Sequence, residues 1–119
     1  MMYEYNFEKL EIWKLAIQLA TRVYETTKKF PEVERYGLVS QLRRSASSIS
    51  TNIAEGTSRF SNKDKARFIE IAYGSTIEVM NHLLLSKELQ LIDEGELLYY
   101  RKAINELSNK INAFYKNIK

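Results

Sequence analysis

Residues 97–118 read LLYYRKAINELSNKINAFYKNI. Within that stretch Leu97, Tyr100, Ile104, Leu107, Ile111, Phe114 and Ile118 fall at alternating steps of three and four. A strand would alternate every second residue. A step averaging three and a half keeps one face of a helix turned toward a partner. Asp93, with Glu96 three positions later, supplies an N-terminal cap, so the spacing predicts a helix over about 94–117.

The same reading extends upstream. Ser61 followed by Asp64 resembles a capping box with Asp in the place of the usual Glu or Gln, and opens a predicted helix over about 62–88. Its core candidates are Ile69, Ala72, Tyr73, Thr76, Met80, Leu83 and Leu84. Gly74 and Ser75 lie mid-helix, where close packing against the small stretch Ser45-Ala46-Ser47-Ser48 would offset the cost of glycine. That stretch belongs to a helix over about 36–56 carrying Leu38, Leu42, Ala46, Ile49 and Ile53 on one face. Gly56 is expected to end it in the left-handed conformation, and Gly37 to take a positive φ before it. The first helix, about 7–29, opens at Asn6 and is stopped by Pro31. Leu10, Trp13, Ile17, Ala20, Tyr24 and Thr27 form its bundle seam. A second apolar stripe, Ile12, Ala16, Leu19 and Val23, exceeds what one partner requires and reads as an oligomer interface.

Long helices joined by short loops pack against their chain neighbours in opposite directions. The expected fold is therefore all-α, an antiparallel up-down-up-down four-helix bundle, with 1–119 forming one domain. The 119 residues hold 4 Gly and 1 Pro, too few for many short strands and tight turns. The first ten residues include Glu4 and Glu8 and lack a signal peptide's apolar segment. Apolar runs such as Leu83-Leu84-Leu85 are far short of the ~20 residues that cross a bilayer. A cytoplasmic protein with no membrane partner is expected.

The absence of cysteine excludes disulfides, thiolate metal sites and thiol nucleophiles. The single histidine, His82, has Glu78 one turn before it but no second His or Cys at ligand spacing, so it reads as a surface or boundary residue. No phosphate-cradling glycine loop and no nucleophile elbow occur. No catalytic, cofactor-binding or metal residue is named, no cofactor is expected, and the chain reads as non-enzymatic.

Charge is the main hint of a partner. Arg35, Arg43, Arg44, Arg59, Lys63, Lys65 and Arg67 stand against Glu55 and Asp64 between residues 35 and 67, a surplus of five in a chain whose net charge is +3. Arg43, Arg44, Arg59, Lys63, Lys65 and Arg67 are candidate nucleic-acid contacts. With no aromatic interleaving in the Arg59–Arg67 cluster, base stacking is not indicated. Asn52, Glu55 and Arg59 line one helical edge, where they either tie the turn between the second and third helices to a neighbour or form a recognition site.

The residues Phe30-Pro31, Glu34, Tyr36-Gly37-Leu38, Gln41-Leu42-Arg43-Arg44, Ser48-Ile49, Asn52-Ile53-Ala54-Glu55-Gly56, Phe68, Ala72, Gly74-Ser75 and Glu78 resemble the four-helix-bundle family of 23S ribosomal-RNA intervening-sequence proteins. Phe7, Leu10, Trp13 and Ala16 fit as well, and the Asn52–Gly56 motif is the most specific part. The family's usual Pro after Ser-Ile is Ser50 here. The resemblance implies a bacterial protein, a homopentamer, and kinship with the accessory variability determinant of diversity-generating retroelements. Structured RNA and a reverse transcriptase-like protein follow as partners, with Asn52, Glu55 and Gly56 as structural motif residues. The expected function is a homo-oligomeric scaffold or RNA/protein-binding module. The alternative is a protein–protein adaptor without nucleic-acid affinity.

Overall fold

The computed structural model describes residues 2–118. Four α-helices account for most of them: α1 Glu11–Thr27, α2 Ser40–Thr57, α3 Asn62–Glu88 and α4 Glu94–Lys116. Helix α3 at 1.5 Å per residue is about 40 Å long, and the molecule's longest dimension is 43 Å. Each helix packs against its neighbour in the chain, and α1 and α4 close the group.

Named contacts give the relative directions. Near the end of α4, Lys110 Nζ donates to Glu11 Oε2 at the start of α1 (3.0 Å), while Thr26 Oγ1 at the end of α1 donates to Glu96 Oε2 near the start of α4 (2.8 Å). Tyr115 Oη donates to Glu70 Oε2 at 2.6 Å, and Lys87 meets Glu94 at 3.5 Å, so α3 and α4 also run oppositely. In α2 and α3, Ser48 lies beside Ser75, and Gly56 sits against Phe68 and Ile69. Both predicted caps form: Ser61 Oγ accepts from Asp64 N–H, and Asp93 Oδ1 from Glu96 N–H.

Several local expectations are corrected. The chain enters α1 through a 3₁₀ turn, Asn6–Lys9, and an extended Leu10, so Asn6 caps nothing; Glu8 reaches back to the Tyr5 N–H at 2.8 Å. The segment before α2, Arg35–Val39, is kinked at Gly37 and does not continue as regular helix. Gly37 there has φ −107° and ψ −105°, so its φ is not positive. Helix α2 runs unbroken past Ser50, whose backbone N–H a proline would lack. Gly56 lies inside α2 with a helical backbone; Gln90, at φ 63°, is the non-glycine residue with positive φ among those described.

The apolar stripes of α1 are exchanged relative to expectation. Ile12, Ala16, Leu19 and Val23 are the buried core of this chain and are not an oligomer interface. In the supposed seam Ile17 and Tyr24 are exposed, Leu10, Trp13 and Ala20 are half-buried, and Thr27 is buried with its hydroxyl on the Val23 carbonyl. The aromatic members of that seam serve the edges: Trp13 meets Phe7 of the entry turn at 5.3 Å, and Tyr24 carries the Arg43 guanidinium on its face. A comparable shift occurs in α3, where Val79 is buried while Tyr73 and Leu84 are exposed. Around these helices the core is completed by Leu42, Ile49, Ile53, Ile69, Leu83, Tyr100, Leu107 and Ile111.

Candidate nucleic-acid interface

The six basic residues named from sequence do not form one surface. Arg43 and Arg44 stand near the start of α2, and Arg59 follows its end, about 20 Å away at 1.5 Å per residue. Arg43 is committed to the fold. Its Nε donates to Thr27 Oγ1 (2.9 Å), its Nη2 to the Tyr24 carbonyl (3.3 Å), and its guanidinium lies 4.5 Å from the Tyr24 ring centre. It therefore braces the end of α1, adding a donor to a carbonyl that already accepts from the Lys28 N–H at 3.2 Å. Arg44 is exposed and lines a polar groove of about 610 Å³ with Tyr36, Ser40, Gln41, Ser48 and Glu78.

Arg59, Lys63, Lys65 and Arg67 gather at the turn between α2 and α3, with Asp64 the one carboxylate among residues 59–67. Arg59 is partly engaged: its Nη2 is 3.4 Å from Glu55 Oε2, and its guanidinium lies over Phe68 at 4.4 Å. Lys65 Nζ reaches the Thr57 carbonyl at 3.4 Å, covering the end of α2. Lys63 and Arg67 are exposed one turn apart on α3. Like charges at that spacing repel by about 0.2–0.5 kcal/mol, and cations near a helix N-terminus oppose its dipole. A bound anion relieves both penalties.

The Asn52–Glu55–Arg59 edge divides. Asn52 turns inward, donating to the Ser48 carbonyl (2.8 Å) and Ser48 Oγ (2.9 Å), and Ser48 Oγ is 3.0 Å from Ser75 Oγ on α3. The link between α2 and α3 is thus made at mid-helix by Ser48 and Ser75, with Asn52 bonded only within α2, and Ser75 rather than Gly74 meets the small stretch of α2. Glu55 turns outward to Arg59. At Gly56 α3 approaches closely: a Cβ there would lie 3.1 Å from Phe68 Cβ and 3.5 Å from the Lys65 carbonyl oxygen. At Gly74 a Cβ would meet nothing within 4 Å.

His82 is a boundary residue with a 12% exposed side chain, its Nε2 3.5 Å from Glu78 Oε2 and both ring nitrogens without a hydrogen-bond partner. Among the described residues no group of three His, Cys, Asp or Glu side chains is placed to hold a metal ion. No described helix is long and apolar enough to cross a membrane.

Sequence reasoning passes over Phe60. It stands in the basic turn between Arg59 and Ser61 and is fully exposed, at 103% of the reference area. The expectation that this cluster lacks an aromatic neighbour is therefore corrected. A lone Phe in an amphipathic sequence reads as core, but its place between the end of one helix and the cap of the next could have marked it as a loop residue.

These features define a small four-helix bundle whose most basic end is the turn between its second and third helices. Residues 8–113 match the family described as "23S rRNA-intervening sequence protein", and the chain belongs to that family. A crystal structure of a protein of unknown function from the S23 ribosomal protein family of Bacteroides thetaiotaomicron VPI-5482 is similar in fold, with a TM-score of 0.79 at 20% identity, over 89% of this chain and 99% of that one. No curated protein matches the chain.

Proposed function

We propose that this protein is a non-enzymatic, homo-oligomeric bundle that binds structured RNA through the basic turn joining α2 and α3. The observation that carries the reading is the exposed pair Lys63 and Arg67, flanked by Arg59 and Lys65, with Asp64 the one carboxylate among residues 59–67 and Glu55 engaged by Arg59. Repetition of this turn on each subunit would combine weak phosphate contacts into avidity.

The oligomer reading rests on α3 in place of α1. Tyr73, Ile77, Met80 and Leu84 follow steps of four, three and four along the outward side of α3; Met80 is half-buried and the other three are exposed. Beside them the α3–α4 face opens a cavity of about 280 Å³ lined by Ile69, Tyr73, Gly74, Ile111 and Tyr115. A heptad-spaced apolar stripe next to a groove suits a further helix. The pentamer implied by the family resemblance would sediment at about five times the 14.0 kDa of one chain.

Titration with structured ribosomal RNA at low and at physiological salt tests the function. Binding is expected to weaken steeply as salt rises, because each neutralised phosphate releases counterions. The double variant Lys63→Glu/Arg67→Glu is expected to lose binding while keeping its helical signal. Absence of wild-type binding at low salt overturns the RNA reading and leaves the protein–protein adaptor as the function. A single 14.0 kDa species in sedimentation equilibrium at micromolar concentration overturns the oligomer.

A further inference from the structure

The conformation of Phe60 narrows the kind of nucleic acid that fits this end of the bundle. The turn that carries it is pinned on both sides. Ser58 N–H donates to the Glu55 carbonyl (3.1 Å) and Arg59 N–H to the Gly56 carbonyl (3.2 Å), while Ser61 caps α3 through the Asp64 N–H (3.1 Å). Lys65 crosses back to Thr57, and the Arg59 guanidinium is held over Phe68. The Phe60 ring is therefore presented to solvent by an anchored turn. Arg59 precedes it, and Lys63 and Arg67 project from the first two turns of the helix that follows.

We propose that Phe60 is a stacking platform for an unpaired nucleobase, and that the basic turn takes single-stranded segments of RNA in preference to continuous duplex. The chemistry of the surroundings selects this occupant. A purely apolar partner would bury the ring but strand the neighbouring cations away from water and without counter-charges. A duplex offers phosphates but keeps its base faces stacked inside. An unpaired strand offers flat apolar faces along a polyanionic backbone, the combination that an exposed aromatic ring among cations complements. The inference rests on the RNA-binding reading above and specifies the form of RNA.

The test compares a 20-nucleotide single-stranded RNA with a 20-base-pair RNA duplex, each titrated against the intact wild-type protein and the variants Phe60→Ala and Phe60→Trp. Wild type is expected to prefer the single strand. Phe60→Ala is expected to bind the single strand about 5- to 150-fold more weakly, the range that loss of one base–aromatic stack produces. Phe60→Trp is expected to retain the preference, since indole also stacks. Circular dichroism confirms that each variant is folded. Equal single-strand affinity of wild type and Phe60→Ala, with the salt dependence intact, overturns the stacking role while leaving RNA binding in place. A fall in sedimenting mass for Phe60→Ala, with the single-strand preference unchanged, makes the ring a subunit contact and likewise overturns it. Failure of the wild type to bind either RNA overturns this inference, and the low-salt titration with structured ribosomal RNA then decides the RNA-binding reading separately.

Discussion

Replacing Gly56 and Gly74 separately by alanine makes the same chemical change inside two helices, with opposite expected signs. In a helix interior, Gly→Ala stabilises by about 0.5–1 kcal/mol through reduced backbone entropy. At Gly74 nothing in the same chain lies within 4 Å of the added methyl, so the propensity gain is expected in full for the single bundle. At Gly56 the methyl would sit 3.1 Å from Phe68 Cβ, inside the ~3.5–4.0 Å of ordinary carbon contact. Phe68 Cβ is the root of its side chain, so a rotamer change cannot move it away; α2 and α3 must separate along a seam that includes Ile69. Overpacking of that kind costs about 1–3 kcal/mol. The net expectation is that Gly56→Ala lowers stability by about 0.5–2 kcal/mol, with a shift of roughly 3–6 °C in Tm for each kcal/mol in a chain of this length. Thermal and urea unfolding followed by circular dichroism, at one fixed protein concentration, measures the difference. A third variant, Gly56→Asn, separates causes: asparagine is tolerated in a left-handed cap, but it does not fit against Phe68. A Tm for Gly56→Ala at or above wild type would refute the close-approach argument.

Two further outcomes follow from buried or half-buried polar contacts. Burial pushes the Tyr100 hydroxyl up to about 12, with the nearby Glu96 adding to the rise and the Thr26 contact opposing it. The neutral form is thus favoured in the fold: stability is unaffected by this group below pH 10, then falls by about 2–3 kcal/mol in all as pH rises from 10 to 12, and Tyr100→Phe is expected to flatten that part of the alkaline unfolding curve. Arg43→Lys cannot reproduce the forked contact with Thr27 and Tyr24, so it is expected to lower stability by about 1–2 kcal/mol in urea unfolding without weakening RNA binding, because Arg43 stands at the opposite end of α2 from the basic turn.

What the sequence discloses depends on whether a residue's environment is set by its own helix or by a neighbour. The starts of α3 and α4 were legible to the residue, because Ser61 and Asp93 act on N–H groups three positions away in their own segments. The apolar face of α4 was legible for the same reason: one stripe, with no competing one beside it. Helix α1 carries two stripes of equal periodicity, and periodicity alone cannot rank them. The aromatic one was the natural choice for a core, yet Tyr24 is held at the edge by Arg43, a residue 19 positions later. Gly56 reads from sequence as a left-handed cap, whereas the structure gives it a helical backbone packed against Phe68. A left-handed cap is a local property, whereas the contact with Phe68 Cβ exists only once α3 has folded back on α2. The charged site follows the same rule. Composition located the surplus of cations, but which of them remain available is decided by tertiary partners: Thr27 for Arg43, Thr57 for Lys65, and Glu55 with Phe68 for Arg59. Subtracting those partners leaves Lys63 and Arg67 as the exposed cations near Phe60 not engaged by another described side chain. The interface we propose is accordingly smaller than the six residues suggested by sequence, and it lies at one end of the bundle.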